Sequence, residues 1–195
     1  MSKKLAIGID IGGTLTKVGF VDRAGELYAH LDFKTRGYRR VDDYVTVLGH
    51  ISIDKEGRLD GLGIKGGLEA YVSSTGLKRT IFELLSDSIL DSELRNYSFN
   101  NLHGEYITKA AENGDEIARA AFEMTGKILG EQLANFVAFS HPEAIFLLGG
   151  LAKSGKWIFE PAQKHLENNL LPHYKGKVKL LPSGMSDKNV AILGA

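Results

Sequence analysis

The sequence predicts an α/β protein in two parts, an N-terminal β-meander and a helix-rich remainder that contains a βαβ unit. Three observations lead there. Short apolar runs with β-branched residues, closed by glycine or polar turns, fill residues 5–33. From Glu69 onward the apolar residues move to helical spacing. Towards the C-terminus a continuous apolar run, a glycine pair, a helical stretch and a second apolar run follow one another.

Taken in order, Leu5 to Ile11 is the first strand, closed by Gly12-Gly13-Thr14. The second, Thr16 to Val21, ends at the tight turn Asp22-Arg23-Ala24-Gly25, and the third runs from Leu27 to Phe33. Short turns between them imply antiparallel pairing. Residues 34–43 carry no usable period, and Tyr44 to Ile53 reads as a further strand broken at Gly49-His50. A glycine-rich stretch between Gly57 and Gly67 is too irregular for strand or helix and reads as a structured loop. Leu68, Tyr71, Val72, Leu77, Ile81, Leu84 and Leu85 then line one helix face. Tyr106 to Glu112 is a short helix stopped at Asn113-Gly114, and Asp115 caps the next, which runs to about Ser140. That helix carries a broad stripe of Ile117, Ala121, Phe122, Met124, Ile128, Leu129, Leu133 and Phe136, a width that implies burial on more than one side. Ala144 to Leu148 is a buried strand, Trp157 to Asn168 a helix, and Val178 to Leu181 the returning parallel strand. The chain divides at 1–48, the meander, and 49–195, the helix-rich part.

Composition excludes several classes of function. The 24 Lys and Arg offset the 24 Asp and Glu, so no overall field favours nucleic acid or an anionic membrane. With no cysteine, disulfides and thiolate metal sites are excluded and a cytoplasmic setting is expected. No apolar run approaches the roughly 20 residues of a membrane span. Met1-Ser2-Lys3-Lys4 leads straight into a strand rather than a signal peptide.

Two glycine motifs carry the chemistry. In Ile9-Asp10-Ile11-Gly12-Gly13-Thr14, followed by Lys17, a carboxylate ends a strand, two glycines turn the backbone closely and a hydroxyl follows. Bare backbone N–H groups and a hydroxyl bind phosphate oxygens, and Asp10 is suited to hold Mg²⁺ through water. Read structurally, the same residues make a glycine hairpin with a capping threonine. In Leu148-Gly149-Gly150-Leu151-Ala152, glycines after a buried strand let a nucleotide lie against the backbone; alone, they read equally as a tight βα turn. Both motifs in this order favour the nucleotide reading.

On these residues the chain resembles the ROK family, bacterial sugar kinases and related repressors with the actin-like ATPase (ribonuclease H-like) fold. Asp10-Ile11-Gly12-Gly13-Thr14 matches that family's first phosphate motif, and Leu148-Gly149-Gly150 its adenosine motif. Leu68-Glu69-Ala70-Tyr71 with Ser73, Ser74 and Gly76 is similar to the segment where the family's sugar-binding Glu begins a helix. Gly49-His50 is similar to the end of its sugar motif. The resemblance covers about 1–40 and 48–195 and implies a partial actin-like fold. It implies ATP with Mg²⁺ held by Asp10, Gly12, Gly13, Thr14, Lys17, Gly149 and Gly150, and a hexose held by His50 and Glu69. It also allows a homo-oligomer.

Three departures qualify that resemblance. Arg40 to Leu48 stand where the family has its catalytic Asp and a second phosphate loop, so no catalytic residue is identified; Asp42 and Asp43 read as solvated loop charges. Val47 replaces a sugar-holding Glu. Asp60, Leu62 and Gly67 occupy the positions of three zinc thiolates, so no zinc is expected. A clean join plus three replaced thiols reads as an engineered, internally deleted version of a ROK kinase. Three functions follow: a hexose kinase, or a reduced form of one; a non-catalytic module with residual nucleotide binding; or a regulator. The regulator is disfavoured because only Met1 to Lys4 precede the first strand, leaving no helix-turn-helix. As it stands, the polypeptide is expected to lack useful activity.

Overall fold

The structure, a computed structural model, describes residues 6–11, 15–21, 27–34, 51–140, 142–147 and 149–182. The N-terminal meander forms as expected: β1 (Ala6–Ile11), β2 (Leu15–Val21) and β3 (Leu27–Lys34) pair antiparallel in sequence order. A register shift at Phe20/Val21 marks a bulge in the β2–β3 ladder. The βαβ unit is present too, with β4 (Ala144–Leu147) parallel to β5 (Lys179–Pro182).

Strand periodicity did not reveal that β1 also pairs parallel with β4, from Ile7↔Ile145 to Ile9↔Leu147. Meander and βαβ unit therefore share one five-stranded sheet of order β3-β2-β1-β4-β5. The division expected between residues 48 and 49 lies outside the described residues.

The helices are α1 (Glu69–Val72), α2 (Ser74–Asp87), α3 (Gly104–Glu112), α4 (Glu116–Ser140) and α5 (Lys156–Asn169). The continuous face read from Leu68 to Leu85 is in fact split. Ser73 adopts extended backbone and its Oγ accepts from Gly76 N at 3.0 Å, ending α1 and capping α2. Asp115 caps α4 through Oδ1, which accepts from Ala118 N at 2.9 Å. The strand read over Tyr44 to Ile53 is not continued at its described end. Residues 51–53 make a single bridge, Ser52↔Gly67, because Ile53 N donates to Gly66 O and Leu68 N to Ile51 O. That fold-back gives the glycine-rich stretch its structure.

Two apolar clusters share α4. One lies against the sheet and α5 and includes Leu68, Val72, Leu133, Val137, Ile145, Ile158, Leu166 and Leu180. The other joins α2, α3 and the first half of α4 around Leu77, Ile81, Leu94, Leu102, Ile107 and Phe122. Partly buried Leu151 packs against both. The stripe on α4 is thus buried on two sides, except at Met124, which is 44% exposed. Close packing against α5 comes instead from small residues. A Cβ at Gly126 would lie 2.6 Å from Pro161 Cγ, and one at Gly130 would meet the backbone of Ala162 and Leu166.

Candidate nucleotide and sugar site

The parallel register of β1 and β4 decides where the two glycine motifs go. Ile9 pairs with Leu147, so Asp10 and the chain leaving β4 towards Gly149-Gly150 emerge at the same edge, the carboxyl ends of neighbouring parallel strands. Here the strand order reverses, one hairpin running off through β2 and the other arm through β4 and β5. In open α/β sheets ligands bind outside the carboxyl ends at such a switch point. Lys17 is the cross-strand partner of Asp10.

Gly149 has φ +87°, a conformation that side-chain-bearing residues rarely adopt. Gly150 is exposed and opens a 3-10 turn over Leu151–Ser154 that leads into α5. A Cβ on Gly150 would stand 2.7 Å from Ser74 Oγ, so this turn lies against the start of α2. Gly12, Gly13, Thr14 and His50 lie outside the described residues, as do Asp42, Asp43 and Val47.

Glu69 is the first residue of α1 and is 6% exposed. Its neighbours on both sides are buried apolar residues, Leu68 and Ala70. The Glu69 carboxylate makes no hydrogen bond or ion pair with any described residue; the residue is largely buried, yet its oxygens are not sealed from solvent.

The loop before α1 is organised by side chains at positions the sequence reading passed over or read otherwise. Asp60 is 7% exposed, and its Oδ1 accepts from Leu62 N at 2.8 Å and Ile64 N at 2.9 Å. With that oxygen committed to the turn, and Leu62 and Gly67 without donor side chains, these positions do not fit a tetrahedral zinc site. Among the described residues no three His, Cys, Asp or Glu cluster as a metal site. Arg58 was missed altogether. It donates to Ala70 O, Gly76 O, Thr80 Oγ1 and Glu83 and lies over the ring of Tyr71. A lone arginine in a glycine-rich loop gives no sequence signal for such a role.

Among the described residues, a shifted carboxylate lies away from this edge. Glu123 on α4 is held below the usual carboxylate range by hydrogen bonds from Lys164 and His165 on α5. It braces α4 against α5. Among the described residues no helix is long and apolar enough to cross a membrane.

The family model described as ROK family matches residues 42–195, more than half of the chain. The motif at residues 10–14 precedes that match. A glucokinase of Thermotoga maritima is 25% identical over 150 residues, which is 76% of this chain and 47% of that protein. This chain spans less than half the length of the curated relatives it matches. A ROK family glucokinase from Streptomyces griseus, solved with glucose and AMPPNP, superposes with a TM-score of 0.66 at 17% identity. The superposition covers 97% of this chain and 96% of that one. A ROK family transcriptional regulator, a homolog of the E. coli MLC protein, superposes at 0.69 with 22% identity, over 92% of this chain and 41% of that one. At these identities the structural likeness shows the fold alone.

Proposed function

The chain belongs to the ROK family and has a partial actin-like ATPase fold, and we propose that it is a hexose-kinase scaffold, one that binds nucleotide and sugar but phosphorylates glucose poorly or not at all. The observation that carries this reading is the β1–β4 register, which supports placing Asp10 and Gly149-Gly150 around one ligand. Asp10 offers a hard oxygen donor of the kind Mg²⁺ takes, alongside phosphate oxygens. In this reading Gly12, Gly13, Thr14 and Lys17 cradle phosphates, and Gly149-Gly150 lets the adenosine lie against bare backbone. Glu69 and His50 accept or donate to sugar hydroxyls; the unpaired carboxylate of Glu69, still open to solvent on an otherwise buried residue, supports its part.

Transfer would need the sugar 6-hydroxyl to attack the γ-phosphorus while a base takes its proton and ADP departs. No residue of this chain is assigned as that base, and Arg40 to Leu48 replace the block in which the resemblance places it. A general base contributes about 10²–10⁴-fold. The second reading is a non-catalytic module that retains nucleotide binding, and the similarity to a transcriptional regulator favours keeping it. Calorimetric titration with glucose, beside titration with an ATP analogue and a glucose-dependent ADP assay, separates the two: the first reading requires glucose to bind, the second does not. Binding without turnover is the expected outcome, and turnover lost in Asp10→Ala would establish a working kinase.

A further inference from the structure

We infer that Arg58 is a positioning residue for Glu69: its guanidinium crosslinks the glycine-rich loop to the break between α1 and α2 and so fixes where the Glu69 carboxylate stands. This rests on the reading of Glu69 as a hexose contact. Glu69 sits on a helix of only four residues, too short to hold itself. The helix also stops at Ser73, leaving its last carbonyls without intrahelical donors. Arg58 supplies one. Its Nη1 donates to Ala70 O, the residue after Glu69, at 3.2 Å, and to Gly76 O at 3.2 Å. Nη2 donates to Thr80 Oγ1 at 3.0 Å and to Glu83, and Nε donates to Glu83 Oε1 at 2.9 Å. All five guanidinium N–H groups thus have acceptors on α1 or α2.

The guanidinium carbon lies 4.7 Å from the centre of the Tyr71 ring, and the Arg58 backbone N donates to Tyr71 Oη at 2.9 Å. Residues 70 and 71, immediately after Glu69, are therefore held from two directions by one loop residue. The ion pair itself is the lesser part. The Glu83 side chain is 56% exposed, where Coulomb attraction is screened. What matters is the planar fork, which a lysine, with three donors at one point, cannot reproduce.

The test compares Arg58→Met, Arg58→Lys and Glu83→Gln in the full chain. The readouts are amide hydrogen exchange and glucose affinity by calorimetry. Arg58→Met should speed exchange at Tyr71 and Val72 by about 10-fold or more and weaken glucose by a similar factor, as expected for lost bonds to a charged donor. The α4 amides from Phe122 to Leu133 should be unaffected. Arg58→Lys should recover part of both effects, and Glu83→Gln should stay within about 3-fold of the parent. Unchanged α1 exchange in Arg58→Met overturns the proposal, as does equal loosening of α4 or a Glu83→Gln variant as impaired as Arg58→Met. If Arg58→Met does not fold, Arg58→Lys decides, and full retention of α1 protection there overturns the proposal. If the parent binds no glucose while α1 alone loosens, Arg58 keeps its positioning role and only the sugar reading fails.

Discussion

Gly130→Ala tests the packing that carries the βαβ crossover, and with it the turn at Gly149-Gly150. Gly130 lies inside α4 where α5 crosses. A Cβ there would press on the Ala162 carbonyl oxygen and stand 2.6 Å from Leu166 N and 2.9 Å from His165 Cβ. Two of these are backbone atoms, so no rotamer change relieves the clash and α5 must shift. Overpacking costs about 1–3 kcal/mol, and backbone contact puts this case at the upper end. Alanine returns about 1 kcal/mol of helix propensity. The net loss is about 1–2 kcal/mol, or about 2–8 °C in Tm for a chain of this size. Gly104→Ala is the control, because a Cβ there meets nothing within 4 Å and should leave Tm unchanged or slightly higher. Thermal unfolding followed by circular dichroism reads both. A Gly130→Ala midpoint at or above the parent would refute the close crossing of α4 and α5.

Asp60→Ala should cost roughly 2 kcal/mol by stripping the acceptor from Leu62 N and Ile64 N, whereas Asp60→Asn, which keeps an acceptor, should cost less than about 1; denaturant titration distinguishes them. Glu123→Gln should lower stability by less than about 1 kcal/mol near neutral pH, because the carboxylate is half exposed. Its folded pKa is depressed, so the parent's advantage is present above the ordinary carboxylate range, about 4.3, and vanishes as pH falls through the lowered value. Stability curves of the two proteins between pH 3 and 7, within the range about which carboxylates titrate, should therefore converge at the acid end. Metal analysis of protein purified without chelators should give well under one zinc per chain, since two of the three aligned positions have no donor side chain.

Much of this fold was legible because local chemistry and global position agree. The meander announced itself through apolar runs closed by short turns, and Asp115 and Asn113-Gly114 bracket the α3–α4 connection with ordinary capping chemistry. Other features depended on what lies across space. The α1–α2 break is invisible in apolar spacing, because it hangs on which of two adjacent serines turns back to cap, and on Gly76 fitting against the Tyr71 backbone. Met124 has the right spacing for the stripe yet remains exposed, while Gly126 and Gly130, residues that weaken a helix pattern, make the closest contacts with α5. The candidate site followed the same division. The glycine motifs and Glu69 could be picked out from residue type and spacing. The parallel β1–β4 pairing that brings Asp10 and Gly149-Gly150 to one edge could not, nor could the clasp at Arg58, whose partners lie 12 to 25 residues away.

Glucose-dependent ADP production decides whether this binding scaffold has an effective phosphoryl-transfer base. With saturating ATP, Mg²⁺ and glucose, turnover should lie far below about 1 s⁻¹, a typical lower range for enzymes, and be indistinguishable from that of Asp10→Ala. Turnover near 1 s⁻¹ or faster, abolished by Asp10→Ala, would contradict that expectation and would require Asp42, Asp43 or another residue of this chain to act as the base.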